Sequence, residues 1–334
     1  MSNTGAGIVV IGSGSAAPTT LLNNDQLSQV VETSDEWIAT RTGIRARRLV
    51  GPEGSLSAIA SQAAQQAITM AGLTAQDIDL IVLATSTPDD LFGTAGKIQG
   101  EIGATRAVAF DLTAACSGFV FGLVTVAQFL RTGVYRNAVL IGADVLSRWV
   151  DWSDRGTCVL FGDGAGAVVL QRTEERDRLL GFELCSDGSL NHTLNLAYQG
   201  TAHPLTSDVT ISQGQYQPIT MNGREIYRFA VAKVPEVISK SLFRAQLTVE
   251  DLDWLLLHQA NQRIMDAVAQ RLKLPPEKVL SNLAKYGNTS AASIPLALDE
   301  AVREGKVKAG DKIAIAGFGA GLNWGAAIIE WGLV

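Results

Sequence analysis

The chain has 334 residues, of which 47% are hydrophobic, and a formal net charge of −6 at pH 7. This size allows one large core or two packed halves, and the lack of a basic stripe argues against nucleic-acid binding. The 3 cysteines stand at unrelated spacings, so we predict neither a disulfide framework nor a zinc site, and we expect a reducing, cytoplasmic location. The N-terminal segment lacks the charged and apolar regions of a signal peptide.

Short apolar runs alternate with longer runs of helical character along the chain. We predict strands at 8–11, 80–84, 108–111, 137–143, 165–171 and 254–257. We predict helices at 57–71, 94–102, 117–131 and 262–272. Such alternation predicts an α/β fold with a largely buried mixed sheet.

One uncharged segment, 112–130, is long enough to cross a bilayer. It nevertheless contains polar residues such as Thr113, Ser117 and Gln128, and it lies within a pattern of short strands and helices. We therefore predict a buried core helix here rather than a membrane span, and we expect no membrane partner.

The second half of the sequence resembles the first, and two of the matches occur at nearly the same separation. The matching pairs are 77–84 with 251–258, the loop around Cys116 with the loop around Asn288, and 161–170 with 317–329. This repetition predicts an internal duplication, with halves at 1–180 and 181–334.

Three residues that lie far apart in the sequence have the side chains of a nucleophilic active site. Cys116 stands where a strand-like run changes to a helix-like run, and a helix N-terminus favours the thiolate. His258 follows the apolar run 254–257, and Asn288 lies in a loop of small residues. Each residue alone is more often structural, but together they predict a catalytic site at the junction of the two halves.

Three glycine-rich segments could be confused with nucleotide-binding loops. Residues 9–17 resemble a dinucleotide fingerprint, but Pro18 follows in place of a clear helix. Residues 161–167 and 317–326 run towards strands rather than helix N-termini, so they do not suit a phosphate. We predict that both are turns that bring the backbone close to a ligand or to packed side chains.

Six longer motifs are distinctive when they are taken together. They are DEWIATRTGI at 35–44, TAACSGF at 113–119, DRGTCVLFGDGAGA at 154–167, HQAN at 258–261, YGNTSAASIP at 286–295 and GFGAGLNWG at 317–325. With them, nearly the whole chain resembles the β-ketoacyl-acyl carrier protein synthase III family of the thiolase superfamily. The resemblance implies a thiolase-like α/β fold, in which two duplicated halves with mixed five-stranded sheets form layers in the order αβαβα.

The resemblance also implies an acyltransferase that starts fatty acid biosynthesis without a cofactor or a metal. A short acyl-CoA primer, expected to be acetyl-CoA, would condense with malonyl-acyl carrier protein to give 3-oxoacyl-acyl carrier protein, CO₂ and CoA. Cys116 would become acylated, and the backbone N–H groups of Cys116 and Ala320 would stabilise the oxyanion. His258 and Asn288 would both donate hydrogen bonds to the malonyl thioester carbonyl.

Further residues are implied as contacts to CoA. Trp37 and Arg155 would enclose the adenine, with Arg41 near the phosphates, because stacking and cation–π contacts suit these side chains. The pantetheine channel would include Asn222, Gly223 and Asn261.

The remaining implied contacts concern the acyl chain and the carrier protein. Phe92 would enter the acyl pocket of the second subunit of a homodimer, and Leu146 and Phe161 would line the same pocket. An acidic chain must attract an acidic carrier protein through a local basic patch. The resemblance places that contact at Arg263, and further candidates are Arg224, Arg228 and Arg271.

Other functions remain compatible with parts of this pattern. A related condensing enzyme of secondary metabolism that acts on CoA thioesters would share the cysteine, histidine and asparagine. A thiolase would need a second catalytic cysteine near the C-terminus, and no cysteine follows Cys185. A cysteine hydrolase would not decarboxylate a malonyl thioester, and a carrier-binding module would not need an intact catalytic site. The chain length and branching of the primer stay open.

Overall fold

A computed structural model describes residues 6–332 of the chain. Its β-strands are β1 (Gly7–Ala16), β2 (Thr20–Asn23), β3 (Ala46–Leu49), β4 (Leu80–Ala84), β5 (Val108–Leu112), β6 (Asn137–Val145), β7 (Asp163–Thr173), β8 (Leu179–Ser186), β9 (Leu194–Asn195), β10 (Tyr198–Pro204), β11 (Thr210–Tyr216), β12 (Thr220–Met221), β13 (Trp254–Leu257), β14 (Val279–Leu280), β15 (Lys312–Gly319) and β16 (Asn323–Glu330). Its α-helices are α1 (Asn24–Leu27), α2 (Asp35–Thr42), α3 (Leu56–Met70), α4 (Ala95–Glu101), α5 (Gly118–Arg131), α6 (Gly223–Ala245), α7 (Gln262–Leu272), α8 (Leu283–Tyr286) and α9 (Ser293–Arg303).

Two five-stranded mixed sheets have the same topology. The first has the order β1-β7-β6-β4-β5, and the second has the order β8-β16-β15-β13-β14. In each sheet the first three strands in this order pair antiparallel and the last three pair parallel. The predicted α/β fold with two duplicated mixed sheets is therefore confirmed. The predicted boundary between 180 and 181 falls within β8, which belongs to the second sheet.

The helices and sheets form five layers. Helices α5 and α9 occupy the central layer, because each packs against strands of both sheets. Helices α3 and α4 cover the outer face of the first sheet, and α6 covers that of the second with α7 beside it. Every residue of β4 is buried, as expected for a strand with both faces covered. The central layer brings the N-termini of α5 and α9 together, and this is where the candidate site forms.

Several predicted elements match the structure residue by residue, namely the strands at 80–84 and 254–257 and the helix at 262–272. The first strand is longer than predicted, because β1 continues its pairing with β7 as far as Ala16 opposite Ala165. Gly14 lies inside this strand, where a Cβ atom would stand 2.2 Å from the Ala63 carbonyl oxygen. The glycines of 9–17 therefore allow α3 to pack closely on the sheet, and no nucleotide loop is present there.

The turn predicted at 161–167 is wrong from Asp163 onward, and the turn predicted at 317–326 is confined to 320–322. Residues from Asp163 onward belong to β7, and a Cβ atom on Gly166 would stand 2.5 Å from the backbone nitrogen of Leu296 in α9. Close packing of a helix on the strand thus accounts for this glycine. In the other segment β15 ends at Gly319 and β16 begins at Asn323, so the chain turns between them.

The uncharged segment at 112–130 forms the end of β5, the loop that carries Cys116 and most of α5. Within residues 6–332, no helix combines the length and the apolar character that crossing a bilayer requires.

Candidate active site

Cys116 lies in a sharp turn between β5 and α5. The preceding residue, Ala115, has a φ of 48°, a left-handed conformation that non-glycine residues seldom adopt. The thiol is 8% exposed and stands just before the N-terminus of α5. Burial, together with the nearby Asp144, raises the pKa of the Cys116 thiol to about 12, although the hydrogen bond from the Ser290 hydroxyl opposes this rise. Burial therefore favours the neutral thiol, in contrast to the thiolate that the position at a helix N-terminus predicted.

Asn288 is fixed by contacts with the other half of the chain. Its backbone N–H donates to the Leu160 carbonyl at 2.8 Å, and its own carbonyl accepts from the Gly162 N–H at 2.9 Å. The side-chain Oδ1 of Asn288 accepts from the Ser290 N–H at 2.9 Å. Because a backbone N–H can only donate, the amide oxygen must face Ser290, which leaves Nδ2 free to donate to a ligand.

The loop that carries Asn288 also contacts Cys116. Ser290 has a φ of 52°, and its Oγ lies 3.4 Å from Cys116 Sγ. The next N–H along the chain, that of Ala291, donates to the buried Asp144 carboxylate at 3.2 Å. Asp144 also accepts from the Thr87 hydroxyl at 2.8 Å, and burial raises the pKa of this carboxyl group. The carboxylate thus joins the end of β6 to the loop that positions Asn288 and Ser290.

His258 follows β13 directly and faces the same cavity. Its Nδ1 lies 2.7 Å from Ser293 Oγ, and its ring meets the edge of Phe318 with centroids 5.4 Å apart. Burial lowers the pKa of His258 to about 3, so the imidazole is neutral at physiological pH. A neutral imidazole carries one N–H and can donate a single hydrogen bond.

Cys116, His258 and Asn288 line one cavity of about 420 Å³. The structure therefore brings together the three residues that were predicted to form a catalytic site, although Asn288 lies 172 positions after Cys116 in the sequence. The cavity is also lined by Leu160, Phe161, Leu194, Met221, Gly223, Arg224, Ile226, Tyr227, Ala260, Asn261, Arg263, Ile264, Phe318 and Gly319. A mainly apolar cavity that contains a few converging polar groups is typical of a small-molecule site.

The final glycine-rich loop lies against Cys116 at Gly319. A Cβ atom on Gly319 would stand 2.7 Å from the backbone nitrogen of Cys116, so only glycine fits. Ala320, which was predicted to supply an oxyanion N–H, follows in the turn and is not among the residues that line the cavity. Its role as a backbone donor stays a prediction.

The residues predicted to bind adenine already contact one another. The guanidinium carbons of Arg41 and Arg155 lie 4.4 Å and 4.7 Å from the centroid of the Trp37 ring. Arg155 also donates to the Glu32 carbonyl at 3.1 Å. The space between Trp37 and Arg155 is thus closed in this structure, and an adenine could enter it only if Arg155 moved away.

The residues predicted to line the pantetheine channel occupy helix N-termini. Asn222 caps α6 by accepting from the Glu225 N–H, while Gly223 is the first residue of that helix and lines the cavity. Asn261 also lines the cavity, and it caps α7 by accepting from the Arg263 N–H at 2.9 Å. Gly223 and Asn261 are thus placed on the cavity wall, whereas Asn222 is not among the residues that line it.

Of the predicted acyl-pocket residues, only Phe161 lines this cavity. Leu146 is buried in the same apolar cluster as Phe161 but does not reach the cavity surface. Phe92 is 103% exposed and remote from the cavity of its own chain. Within a single chain, the three residues predicted to line the acyl pocket therefore do not line one cavity.

Two of the four arginines predicted to dock a carrier protein line the cavity, and the other two do not. Arg224 and Arg263 line the cavity, and the guanidinium carbon of Arg263 lies 5.8 Å from the centroid of the Tyr227 ring. Arg228 and Arg271 are exposed but do not line the cavity, and Arg271 donates to the Val231 carbonyl at 2.7 Å. Only the first two arginines are placed to meet a ligand as it enters.

Sequence reasoning missed Ser290, Ser293, Gly319 and the buried Asp144 as parts of this site. The two serines and the glycine stand within the motifs that marked the catalytic residues, so position in a motif was the available signal. Asp144 lies near the end of the mainly apolar strand β6. An acidic residue at the end of a buried strand is a further signal of a functional site. In the described part of the chain, no group of three or more His, Cys, Asp or Glu side chains could hold a metal.

Comparison with known proteins agrees with this geometry. A family model described as 3-oxoacyl-[acyl-carrier-protein (ACP)] synthase III matches residues 110–188, and the model for its C-terminal part matches residues 242–331. The β-ketoacyl-[acyl-carrier-protein] synthases III of Trichormus variabilis and of a Nostoc species are 72% and 73% identical, each over 98% of this chain and 98% of the relative. The crystal structure of 3-oxoacyl-[acyl-carrier-protein] synthase III from Aquifex aeolicus has a TM-score of 0.89 at 43% identity, and the match covers 97% of this chain and 100% of that one. The chain therefore belongs to the β-ketoacyl-[acyl-carrier-protein] synthase III family.

Proposed function

We propose that this chain catalyses the condensation that starts fatty acid biosynthesis. A short acyl-CoA primer, expected to be acetyl-CoA, and malonyl-acyl carrier protein would give 3-oxoacyl-acyl carrier protein, CO₂ and CoA. One observation carries the proposal: a buried thiol shares a mainly apolar cavity with a neutral imidazole and an asparagine amide that is free to donate.

In the first half-reaction, Cys116 Sγ attacks the thioester carbonyl of the primer. The bond between the acyl carbon and the CoA sulfur breaks, CoA leaves as a thiol with the proton of Cys116, and an acyl-Cys116 thioester remains. Backbone N–H groups of Cys116 and Ala320 would hold the developing oxyanion. The contact of Gly319 with the Cys116 backbone supports this step, because it brings the final loop against the nucleophile.

In the second half-reaction, the malonyl group of the carrier protein loses CO₂. The electrons of the broken C–C bond form an enolate, whose oxygen would be stabilised by Asn288 Nδ2–H and the His258 N–H. The enolate carbon attacks acyl-Cys116, and the cysteine leaves as a thiolate that regains a proton. Two neutral donors suit this step, because they stabilise the enolate without protonating it.

The proposed partners follow from the cavity entrance and from the exposed apolar residues. Arg224 and Arg263 would attract an acidic carrier protein. The side chains of Leu91 and Phe92 are 79% and 103% exposed, which supports a homodimer in which they are covered. We also propose a cytoplasmic location, because the free thiols Cys116, Cys158 and Cys185 suit a reducing compartment.

The test is a panel of acyl-CoA primers with malonyl-acyl carrier protein, in which the products are identified by mass. We expect 3-oxoacyl-acyl carrier protein from at least one short primer. The intact mass of the protein should show an acyl adduct that Cys116→Ala removes. An adduct on Cys158 or Cys185 would contradict the assignment of the nucleophile, and acyl transfer to water alone would indicate a hydrolase.

A further inference from the structure

A serine at the start of α9 contacts the ring of the candidate catalytic histidine. Ser293 is 1% exposed, and its Oγ lies 2.7 Å from His258 Nδ1. The same oxygen accepts from the Gln259 N–H at 3.3 Å. The hydroxyl thus connects β13 of the second sheet to the central helix α9, and it lies on the side of the ring that faces away from the free nitrogen Nε2.

The hydrogen bonds of Ser293 determine where its proton lies. The Gln259 N–H can only donate, so it uses a lone pair of Oγ and cannot receive the hydroxyl proton. Among residues 6–332, the only other hydrogen-bond partner of Ser293 Oγ is His258 Nδ1. A buried hydroxyl keeps its donor satisfied, so the O–H must donate to Nδ1. An Nδ1 that accepts is unprotonated, and a neutral ring then carries its proton on Nε2.

We propose that Ser293 is a positioning residue, which holds His258 in the Nε2–H tautomer so that this N–H donates to the malonyl thioester carbonyl. The proposal rests on the proposed function and assigns the tautomer on which the decarboxylation half-reaction depends. His258 Nε2 has no hydrogen bond to any residue of the described chain, and the ring lines the cavity beside Asn288.

The tautomer matters because the alternative Nδ1–H tautomer would disfavour formation of the enolate. With the proton on Nδ1, the lone pair of Nε2 would face the developing enolate oxygen and repel it. The neutral ring cannot supply both N–H groups, so a fixed tautomer is needed for a full set of donors. Asn288 is oriented by the same principle, because the Ser290 N–H fixes its Oδ1 and leaves Nδ2 as the donor. Each donor therefore depends on one serine of the segment 288–293.

The direct test is the protonation of the His258 ring in ¹⁵N-histidine-labelled protein. The chain has only 3 histidines, so the ring signals can be assigned with His258→Ala. In the free wild-type protein near pH 7.5, we expect Nε2 to be protonated and Nδ1 to be unprotonated. Ser293→Ala should give a mixture of both tautomers, whereas Ser293→Thr, which keeps a hydroxyl, should retain the wild-type state.

The kinetic test separates the two half-reactions. Ser293→Ala should decarboxylate malonyl-acyl carrier protein about 10- to 100-fold more slowly, by analogy with the loss of a residue that orients a metal-ligating histidine. Its acylation by acyl-CoA and its KM for the carrier protein should stay near wild type. A matched control is Ser241→Ala, because Ser241 is also a fully buried helical serine but donates only to backbone carbonyls of Val237 and Ala326.

Two results would overturn the proposal. One is an Nδ1–H signal in the wild-type protein, and the other is a Ser293→Ala variant that keeps pure Nε2–H and full decarboxylation. The ring signals are measured without substrate, so they are independent of the proposed function. A wild-type protein that shows the Nε2–H tautomer but never decarboxylates a malonyl thioester would reject the function alone.

Discussion

Gly319 and Cys116 lie in backbone contact across the two halves of the chain. A Cβ atom on Gly319 would stand 2.7 Å from Cys116 N and 3.0 Å from Cys116 Cβ. Neither atom is the end of a flexible side chain, so a larger residue would displace Cys116 or the final loop. This contact, rather than any special φ of the glycine, explains why the position requires glycine.

We therefore expect Gly319→Ala to slow acylation of Cys116 by about 10²-fold or more, because small displacements of reacting groups have effects of this size. The measurement is the rate at which the acyl adduct appears by intact mass. Gly96→Ala is the control, because an added Cβ there meets nothing within 4 Å and the residue lies in helix α4. Equal acylation rates for both variants would show that the contact is unimportant.

His258→Ala and Asn288→Ala should lose decarboxylation while keeping much of the acyl transfer from acyl-CoA. Each substitution removes one donor to the developing enolate, and loss of such a donor costs about 10²–10³ in rate. The two rates are measured separately, as CO₂ release from malonyl-acyl carrier protein and as acyl exchange with CoA. A variant that decarboxylates normally but cannot be acylated would reverse the assigned roles.

The protonation state of His258, and with it the donor for decarboxylation, should not change over the pH range in which an ordinary histidine titrates. Burial lowers the pKa of His258 from 6.5 to about 3, so the ring stays neutral as the pH falls through the range in which histidines usually titrate. In Cys116→Ala protein, which removes the thiol, the ring signals of His258 should stay constant between about pH 8 and pH 5. A shift of these signals with a midpoint near the ordinary value would show that the ring is more hydrated than its position indicates.

Arg263→Glu should raise the KM for malonyl-acyl carrier protein at low salt and leave acylation by acyl-CoA near wild type. The guanidinium lies at the cavity entrance, where a charge acts mainly on the rate of encounter with an acidic partner. The wild-type KM should also rise with ionic strength, because salt screens this attraction. Arg106→Glu is the control, since Arg106 is exposed but does not line the cavity. An unchanged KM for Arg263→Glu would place the docking surface elsewhere.

Phe92→Ala should alter the range of accepted primers without lowering the stability of the single chain. The side chain is 103% exposed and buries no surface within its own chain, so any effect on the acyl pocket must come through a second subunit. Primer preference and oligomeric state are measured together, by product mass and by sedimentation. Phe243→Ala, at a residue that is 83% exposed on α6, is the matched control. Identical primer ranges for both variants would remove Phe92 from the pocket.

Much of the fold could be predicted from local patterns. The runs at 80–84 and 254–257 are short, apolar and followed by polar residues, and they form strands with these bounds. The helix at 262–272 has one apolar face, which packs inward. The glycines of 161–167 were misread as a turn, because a glycine that permits close packing of α9 on β7 has the same local signature as a glycine in a loop.

The sequence by itself determined six of the strands and four of the helices, the duplicated order of the two halves and the three residues of the candidate catalytic site. Periodicity and residue chemistry are local properties, and they can be read along the chain. Only the tertiary structure decided which atoms meet: Ser290 with Cys116 at 3.4 Å, and Ser293 with His258 at 2.7 Å. These contacts depend on how two sheets pack about α5 and α9, and packing joins segments that no local pattern connects. The direction of each hydrogen bond, and so the proposed tautomer of His258, follows from that packing alone.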